Sequence, residues 1–405
     1  MMSKNENRWQ KGYSLPQAMY LDEDIYAADV KWLMTTQWLL VDHSSRIPNI
    51  GDYFLAEFGH ESVIVTRTHE NEIKAYYNVC RHRGSRICLK QEGATKLFRC
   101  PYHSWVYNLD GSLRAARAMP EGFDKEANSL IHVHVRLFSG LIFLNFSPDA
   151  PPNFADYTAR FAPLVAGLGL PEAKIAARKI YRTKANWKLV VENFFECYHC
   201  QTAHPTYCSV HDKMKLLAFG GSANMTNLAH YQAKLAEWKL ESAAKGYVVG
   251  GFLDGANSLA LQAASRLPIA DGALTESVDG KPLAPLMSKM EVFDGGQLGC
   301  TFNPLGIVLT CNDHAVIFQF VPCAADVTDV KAIWLVQGAA EEGKDYHVAA
   351  LMEVWDVTLR EDKTITENNQ LGIMSRAYRP GVYSEHEARI ANFGEWYVKQ
   401  MRMIP

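Results

Sequence analysis

Apolar and polar positions divide the chain into three stretches. Up to about Trp38, apolar residues fall at helical spacing (Tyr26, Val30, Leu33), which predicts a short helical lead-in. From about Leu39 to Ser147, short β-branched and aromatic runs take over, with SVIVT at 62–66, KAYYNV at 74–79 and LIFLNF at 141–146, set apart by Gly, Asp and Asn. That pattern predicts a compact all-β domain. Asp149-Ala-Pro-Pro-Asn interrupts it, and helical and strand-like segments then mix to the carboxyl terminus. The expected organisation is a lead-in at 1–38 packing on the last domain, a β domain at 39–152 and a second domain at 153–405. The most apolar long stretch, Leu130–Phe146, holds His132, His134 and Arg136 and alternates, so it reads as a strand and not a membrane span. The Ala-, Gly- and Ser-rich segment from about Leu240 to Ser288, with Gly250-Gly251, reads as a long loop or lid over a site.

Composition narrows the function classes. A chain of 405 residues that is 48% hydrophobic and 21% charged can bury the cores of two or three domains. Its formal charge of -3, from 41 Lys+Arg against 44 Asp+Glu, supplies no basic footprint for nucleic acid. The polar start MMSKNENRWQKGYSLPQ has no signal-peptide core, which makes the cytoplasm the expected compartment. Nine cysteines, an odd count, then read as thiols or metal ligands and not as a disulfide framework.

Two constellations carry chemistry. Cys80-Arg81-His82-Arg83-Gly84 is followed, after 17 residues beyond His82, by Cys100-Pro101-Tyr102-His103. Two loops that each offer a thiolate and an imidazole suit a [2Fe-2S] cluster with thiolates on one iron and neutral imidazoles on the other. A structural zinc site uses the same ligand types, but finger spacing places both Cys before both His, and here they alternate. Cys88 then reads as a buried thiol.

The second constellation runs from Asn186 to Pro205. As a helix, Trp187, Val190, Val191, Phe194 and Tyr198 form an apolar stripe, while Glu192, Glu196, His199 and Ala203 form a second. An acid one turn from an imidazole suggests a ligand oriented by a second-shell or bridging carboxylate. Pro205 disfavours helical geometry at His204 and lets it bend back toward His199. Two imidazoles and a carboxylate make the facial triad of non-haem Fe(II) oxygenases, with the carboxylate coming from elsewhere. The competing readings are zinc at Cys197, Cys200 and His199 or Cys208, or a redox Cys197–Cys200 pair, and no second CxxC or βαβ context supports them. His132, His134 and His211 read as structural.

The first pattern resembles the Rieske motif. With Asn186-Trp187-Lys188, Glu192-Asn193, Glu196-Cys197-Tyr198-His199-Cys200 and His204-Pro205, the chain resembles the α subunits of Rieske non-haem iron oxygenases over nearly its whole length. The resemblance implies an α+β fold, with an all-β Rieske [2Fe-2S] domain and a helix-grip catalytic domain built on an antiparallel sheet. It implies Cys80, His82, Cys100 and His103 as cluster ligands, and His199, His204 and Asp362 as ligands of a mononuclear Fe(II). Asp362 comes from the match of Glu361-Asp362 through Glu367 and Gln370 to the family's E-D-x4-E-x2-Q pattern, with Asp356 in reserve. Solvated helix charges are the plain alternative for Glu361 and Asp362. Glu196 takes the place of the acid that bridges to the Rieske histidine of a neighbouring subunit, and Asn193 is a further catalytic candidate.

The implied activity is hydroxylation of an organic substrate with O2. Electrons would reach a homotrimer from NAD(P)H through a separate flavin/iron-sulfur reductase or ferredoxin, because the chain has no G-x-G-x-x-G and no C-x4-C-x2-C run. Neither nucleic acid nor membrane is expected as a partner. Glu at the bridging position resembles the group that N-demethylates quaternary ammonium compounds such as glycine betaine, carnitine and stachydrine. Hydroxylation or O-demethylation of an aromatic acid is the alternative reaction. A non-catalytic Rieske electron carrier is the alternative of another class, and it would need only the β-rich domain.

Overall fold

The computed structural model describes residues 9–70, 72–211, 225–287 and 291–402; residues 1–8 of the expected lead-in and Ser288 of the expected lid lie outside them. The chain forms two units, Leu33–Phe154 and a second that joins Met1–Trp32 to Ala155–Pro405.

In the first unit the short apolar runs pair into a seven-stranded antiparallel sheet. Its order is Leu39–His43, Leu141–Asn145, His132–Phe138, Glu72–Tyr77, Glu61–His69, Asp52–Phe58, Glu92–Ala94. Val63, Ile64 and Val65 are consecutive and fully buried, as the apolar run in a mid-sheet strand requires. Leu130–Phe146 is not one strand but a hairpin. Ser139 and Gly140 both take positive φ, and a two-residue turn of that kind matches the twist of the strands it joins. A smaller sheet of Phe98–Arg99, Val106–Tyr107 and Leu113–Ala115 completes the unit.

The second unit is a mixed layer, so the whole chain is α+β. Its antiparallel sheet runs in the order Ala173–Thr183, Val327–Gln337, His314–Ala324, Gly306–Thr310, Gly296–Asn303, Ala263–Pro268, Gly251–Leu253. The helix Val348–Ile373 lays a stripe of Leu351, Val354, Trp355, Thr358, Leu359, Thr366 and Gln370 inward, at helical spacing. Trp355 and Phe194 both meet Phe318 of the sheet, at 4.8 and 5.1 Å between ring centroids. From the lead-in helix Glu23–Thr36, Asp29 pairs with Lys188, and neither side chain has any exposure. Trp187 Nε1 and Tyr397 Oη donate to the same carboxylate at 3.1 and 2.8 Å, which is how a buried acid stays satisfied.

Two segments depart from the sequence reading. The helix that begins at Trp187, capped by Asn186, ends at Phe194, so the stripe does not continue to Tyr198, which is 54% exposed. Past that end the Glu196 carboxylate takes the backbone N–H groups of Tyr198 and His199, offering the chain a side-chain acceptor in place of the helical one. Within 240–287 the chain is not a long loop. It closes the helix Met225–Ala244 and then contributes the strands Gly251–Leu253 and Ala263–Pro268.

Candidate active site

Cys80 and Cys100 open two loops with one shared backbone design. Cys80 N donates to Ser85 O and Gly84 N to Cys80 O; Cys100 N donates to Trp105 O and Ser104 N to Cys100 O. In each loop the fifth residue takes positive φ, +76° at Gly84 and +59° at Ser104, which costs a glycine little and a serine more. The thiols are 3% and 1% exposed, whereas His82 and His103 are exposed. The two imidazoles face each other, Nδ1 to Nδ1, at 3.1 Å. Trp105 stacks on His82 with 5.0 Å between centroids, and Tyr107 Oη lies 3.3 Å from Cys80 Sγ while accepting from Arg81 N at 3.1 Å. Burial raises the Cys80 thiol, and the neighbouring Cys100 thiol raises it further. Two buried thiols that interact with each other and two ring nitrogens 3.1 Å apart, one of each from either loop, fit one group that bonds all four. Burial pushes the Cys88 thiol up to about 12, consistent with the inert buried cysteine expected there.

The second constellation converges as well. His199 stands just before the short helix Cys200–Ala203, and His204 occupies the non-helical residue between it and Pro205–Val210, so the bend at Pro205 returns the second imidazole toward the first. His199 Nε2 and His204 Nε2 lie 3.0 Å apart, and Asp362 Oδ1 lies 2.9 Å from His204 Nε2 and 3.4 Å from His199 Nε2. Bonds of about 2.1 Å to one ion set neighbouring ligand atoms about 3 Å apart, so the three donors fit a single cation. Burial disfavours charge on His199, yet its hydrogen bonds to the Asp362 and Glu196 carboxylates outweigh it and lift the pKa to about 9. Against its own burial, Asp362 is held below the usual carboxylate range by the two imidazoles. Positive charge is therefore favoured where the donors meet.

Each imidazole is held from behind by an acid. Glu196 Oε1 takes His199 Nδ1, and Glu361 Oε2 lies 2.9 Å from His204 Nδ1. This leaves both Nε2 atoms for the cation. The Glu196–His199 pairing expected from their spacing is present even though no continuous helix joins them. Asn193 Nδ2 approaches His199 Nε2 to 3.5 Å. Asp356, the reserve third ligand, is turned away: it takes Lys179 and Tyr181, each at 2.5 Å. Six residues before Asp362 put it roughly 240° around the helix, on another face. Glu367 and Gln370 accept the backbone N–H groups of Lys184 and Asn186 at 2.8 and 2.9 Å, so they tie the Asp362 helix to the turn that launches the Glu196 segment.

The thiol reading of Cys197 and Cys200 is overturned. The bend after Phe194 brings their Cα atoms to 4.9 Å and the two form a disulfide, which removes them as zinc ligands. A second group of donors, Glu276, Cys311 and His314, lies buried elsewhere. Its carboxylate is already engaged by His211 Nε2 at 2.8 Å and Trp355 Nε1 at 2.7 Å, in keeping with a structural His211.

A cavity of about 650 Å³, the size of a small-molecule site, opens on the triad. The strands Gly251–Leu253 and Ala263–Pro268 form part of its wall, which is the role that the lid reading gave to a loop. Phe194, Tyr207 and Trp355 form an aromatic face beside the triad. Tyr207 lies 6.4 Å from the His204 ring and 5.6 Å from Trp355, and Phe194 stacks on Trp355 at 5.9 Å. Sequence reasoning did not single out this face, although Trp355 precedes Asp362 by two helical turns and Tyr207 follows His204 within one. It also passed over Glu361 as a ligand support, and Arg389, which lines the same cavity.

Residues 170–403 match the ring hydroxylating alpha subunit (catalytic domain) family, and residues 37–136 match the Rieske [2Fe-2S] domain. The chain belongs to the ring-hydroxylating oxygenase α subunits. As a member it is a Rieske-type oxygenase, an oxidoreductase whose cofactors are a [2Fe-2S] cluster and a mononuclear iron. A catalytic domain with its own metal donors and cavity sets aside the bare electron carrier. This α subunit is 34% identical over 402 residues, 97% of the chain and 86% of the relative, to the glycine betaine monooxygenase oxygenase subunit of Chromohalobacter salexigens. The carnitine monooxygenase oxygenase subunit of Escherichia coli (strain K12) is 34% identical over 206 residues, 49% of this chain and 54% of that one. The fold is similar to the crystal structure of the quaternary ammonium Rieske monooxygenase CntA in complex with L-carnitine. That likeness has a TM-score of 0.70 and 22% identity, and it covers 99% of both chains. Among the described residues no helix is long and apolar enough to cross a membrane.

Proposed function

We propose that this oxygenase is the terminal component of a system that oxidatively N-demethylates a small quaternary ammonium compound of the glycine betaine, stachydrine or carnitine type. The observation that carries the reading is the aromatic face of Phe194, Tyr207 and Trp355 beside the donors of His199, His204 and Asp362. A methylated ammonium has no N–H to donate and is attracted instead to the faces of aromatic rings. Donation of the Trp355 N–H to the buried Glu276 carboxylate adds electron density to that ring and strengthens the attraction. The relatives, oxygenase subunits of glycine betaine and carnitine monooxygenases, support the same class.

In this reading His199, His204 and Asp362 would hold the mononuclear iron. Cys80 and Cys100 would hold one iron of the cluster, and His82 and His103 the other. When bound, the cluster supplies electrons singly and the mononuclear iron supplies reductive O2 chemistry. The protein fixes the geometry around them. Glu196 and Glu361 set the tautomer of each imidazole, the aromatic face turns an N-methyl carbon toward the triad, and apolar Leu267, Ile307 and Leu309 limit water in the cavity. Asn193, lining the cavity beside His199, is placed to donate to a ligand at the same ion.

The balance is that of a monooxygenase. O2, two electrons and two protons convert the N-methyl group to N-hydroxymethyl and release one water. The C–N bond then breaks with its electron pair left on nitrogen, giving formaldehyde and a tertiary amine that takes the hydroxyl proton. Glu196 also serves, in this account, as the bridge from His199 to an exposed Rieske imidazole of a neighbouring copy in a head-to-tail homotrimer. Reduction comes from NAD(P)H through a separate flavin/iron-sulfur reductase or ferredoxin, in the cytoplasm.

Single turnover of the chemically reduced holoenzyme tests the reaction. With glycine betaine, carnitine or stachydrine the expected result is formaldehyde and tertiary amine in equal amounts. Turnover of an aromatic acid to a diol or phenol, with no formaldehyde from any of the three, would contradict the proposal.

A further inference from the structure

Among the described residues that line the cavity, Arg389 is the one arginine or lysine. It stands in the first turn of the helix Ala388–Arg402, with a partly buried side chain. Two elements hold its guanidinium: Nη2 donates to Thr301 Oγ1 of the strand Gly296–Asn303 at 2.8 Å, and Cζ lies 4.2 Å from the centroid of the Phe195 ring. An arginine removed from water is ordinarily paired with a carboxylate, because the desolvated charge is costly alone. Arg389 forms no ion pair with any described residue. Nearby Glu387 is committed to the Ser384 backbone N–H, and Glu385 is exposed. Burial alone pulls the arginine down to about 10, with no neighbouring acid to restore it. A guanidinium has five N–H donors in a planar fork, and one hydrogen bond to a hydroxyl uses a single donor.

The cavity is thus polarised. Carboxylates and imidazoles stand at the triad with the aromatic face beside them, and a fixed cation with no counter-ion among the described residues lines the same cavity. We propose that Arg389 is the carboxylate anchor of this cavity, so that the enzyme selects zwitterions that carry both an onium head and a carboxylate over cations that lack the acid. The inference rests on the quaternary ammonium reading for the head group and adds the second half of the substrate. Arg389 pairs through its free fork with the carboxylate, and the onium head rests on Tyr207 and Trp355. The substrate is then held at two points and one N-methyl carbon is turned to the triad. Thr301 and Phe195 keep the fork aimed before the ligand arrives, which reduces the ordering cost of binding.

The test compares ligands matched except for the acid. Glycine betaine and choline share a trimethylammonium head; benzoate and benzyl alcohol share a ring. Affinities are read by calorimetry on oxidised, anaerobic holoenzyme of the wild type, Arg389→Gln and Arg389→Lys, with cluster absorbance and iron content as the check on folding. A charge-assisted pair of this kind is expected to make wild type prefer glycine betaine over choline by about 10- to 100-fold. Arg389→Gln should remove that preference while leaving choline within about twofold, and Arg389→Lys should retain part of it. Equal affinity of wild type for the members of both pairs, an equal loss for both members in Arg389→Gln, or no acid binding tighter than its partner would overturn the anchor. If wild type binds benzoate, binds neither trimethylammonium compound, and loses benzoate in Arg389→Gln, the anchor stands and the quaternary ammonium reading falls.

Discussion

Glu361 offers a sharp test of how the mononuclear site is held. Its Oε2 lies 2.9 Å from His204 Nδ1, and His204 Nε2 in turn lies 2.9 Å from Asp362 Oδ1, so one helix supplies both the acid behind the imidazole and the acid beside it. Acids in this position make an imidazole a better ligand and fix its ring, and their loss costs about 10- to 100-fold in metal affinity or activity, about 1.4 to 2.7 kcal/mol. The Glu361 side chain is 30% exposed, so water screens part of its charge. Glu361→Gln retains an oxygen that can accept from Nδ1 and should weaken iron binding about tenfold. Glu361→Ala removes charge and acceptor together and should approach 100-fold. The assay is competition for Fe(II) by a chromophoric chelator, with the visible spectrum of the cluster as an internal control for folding. If Glu361→Ala retained iron as tightly as wild type, the claim that this carboxylate supports His204 would be wrong.

Three further predictions follow from other parts of the structure. Glu196→Ala should keep the cluster and weaken mononuclear iron about as Glu361→Ala does; loaded with excess Fe(II), it should still lose coupled turnover toward the 100-fold end of what such acids contribute, read as slowed reoxidation of the reduced cluster by O2 and substrate; normal reoxidation would remove the bridge. Asp29→Ala leaves Lys188 buried without its partner and should lower stability by about 3 to 5 kcal/mol, read by denaturant unfolding, and adding Lys188→Met to it should recover part of that loss because it removes the stranded charge. Burial lifts Glu192 to about 8 against a usual value of 4.5, and Tyr20 Oη donates to its two oxygens at 2.9 and 3.1 Å. An acid raised in the fold contributes fully below its unfolded pKa, and the contribution is lost as pH rises through the folded value. Thermal stability should therefore fall between about pH 5 and pH 9, and Glu192→Gln should flatten that slope; an unchanged slope would refute it.

Local patterns made much of the molecule legible. The convergence of Cys80, His82, Cys100 and His103, the proposed cluster ligands, could be read because each loop carries its own pair. His199 and His204 could be read because Pro205 marks the bend between them. The same reasoning overran the helix to Tyr198, because hydrophobic spacing does not register a carboxylate such as Glu196 that captures backbone N–H groups. It read Leu130–Phe146 as one strand because alternation passes unbroken through the Ser139-Gly140 turn. Asp362 lies 158 positions from its contact with His204, so no local signal ties them, and a family resemblance was needed. Motif residues also divide by role. Asn186, Trp187 and Lys188 cap a helix and complete a buried charge network, while Glu367 and Gln370 tie that turn to the Asp362 helix. Arg389 had no pattern to announce it, since its proposed role rests on having no ion-pair partner among the described residues, which only the packed cavity reveals.

The central claim is that one polypeptide holds two different iron centres. Elemental and acid-labile sulfide analysis of anaerobically prepared protein, read beside its paramagnetic resonance after reduction, addresses it most directly. The expected composition is three irons and two sulfides per chain, two irons in the Rieske cluster and one at the triad. Zinc in either position, or two irons with the triad empty after loading with Fe(II), would contradict it.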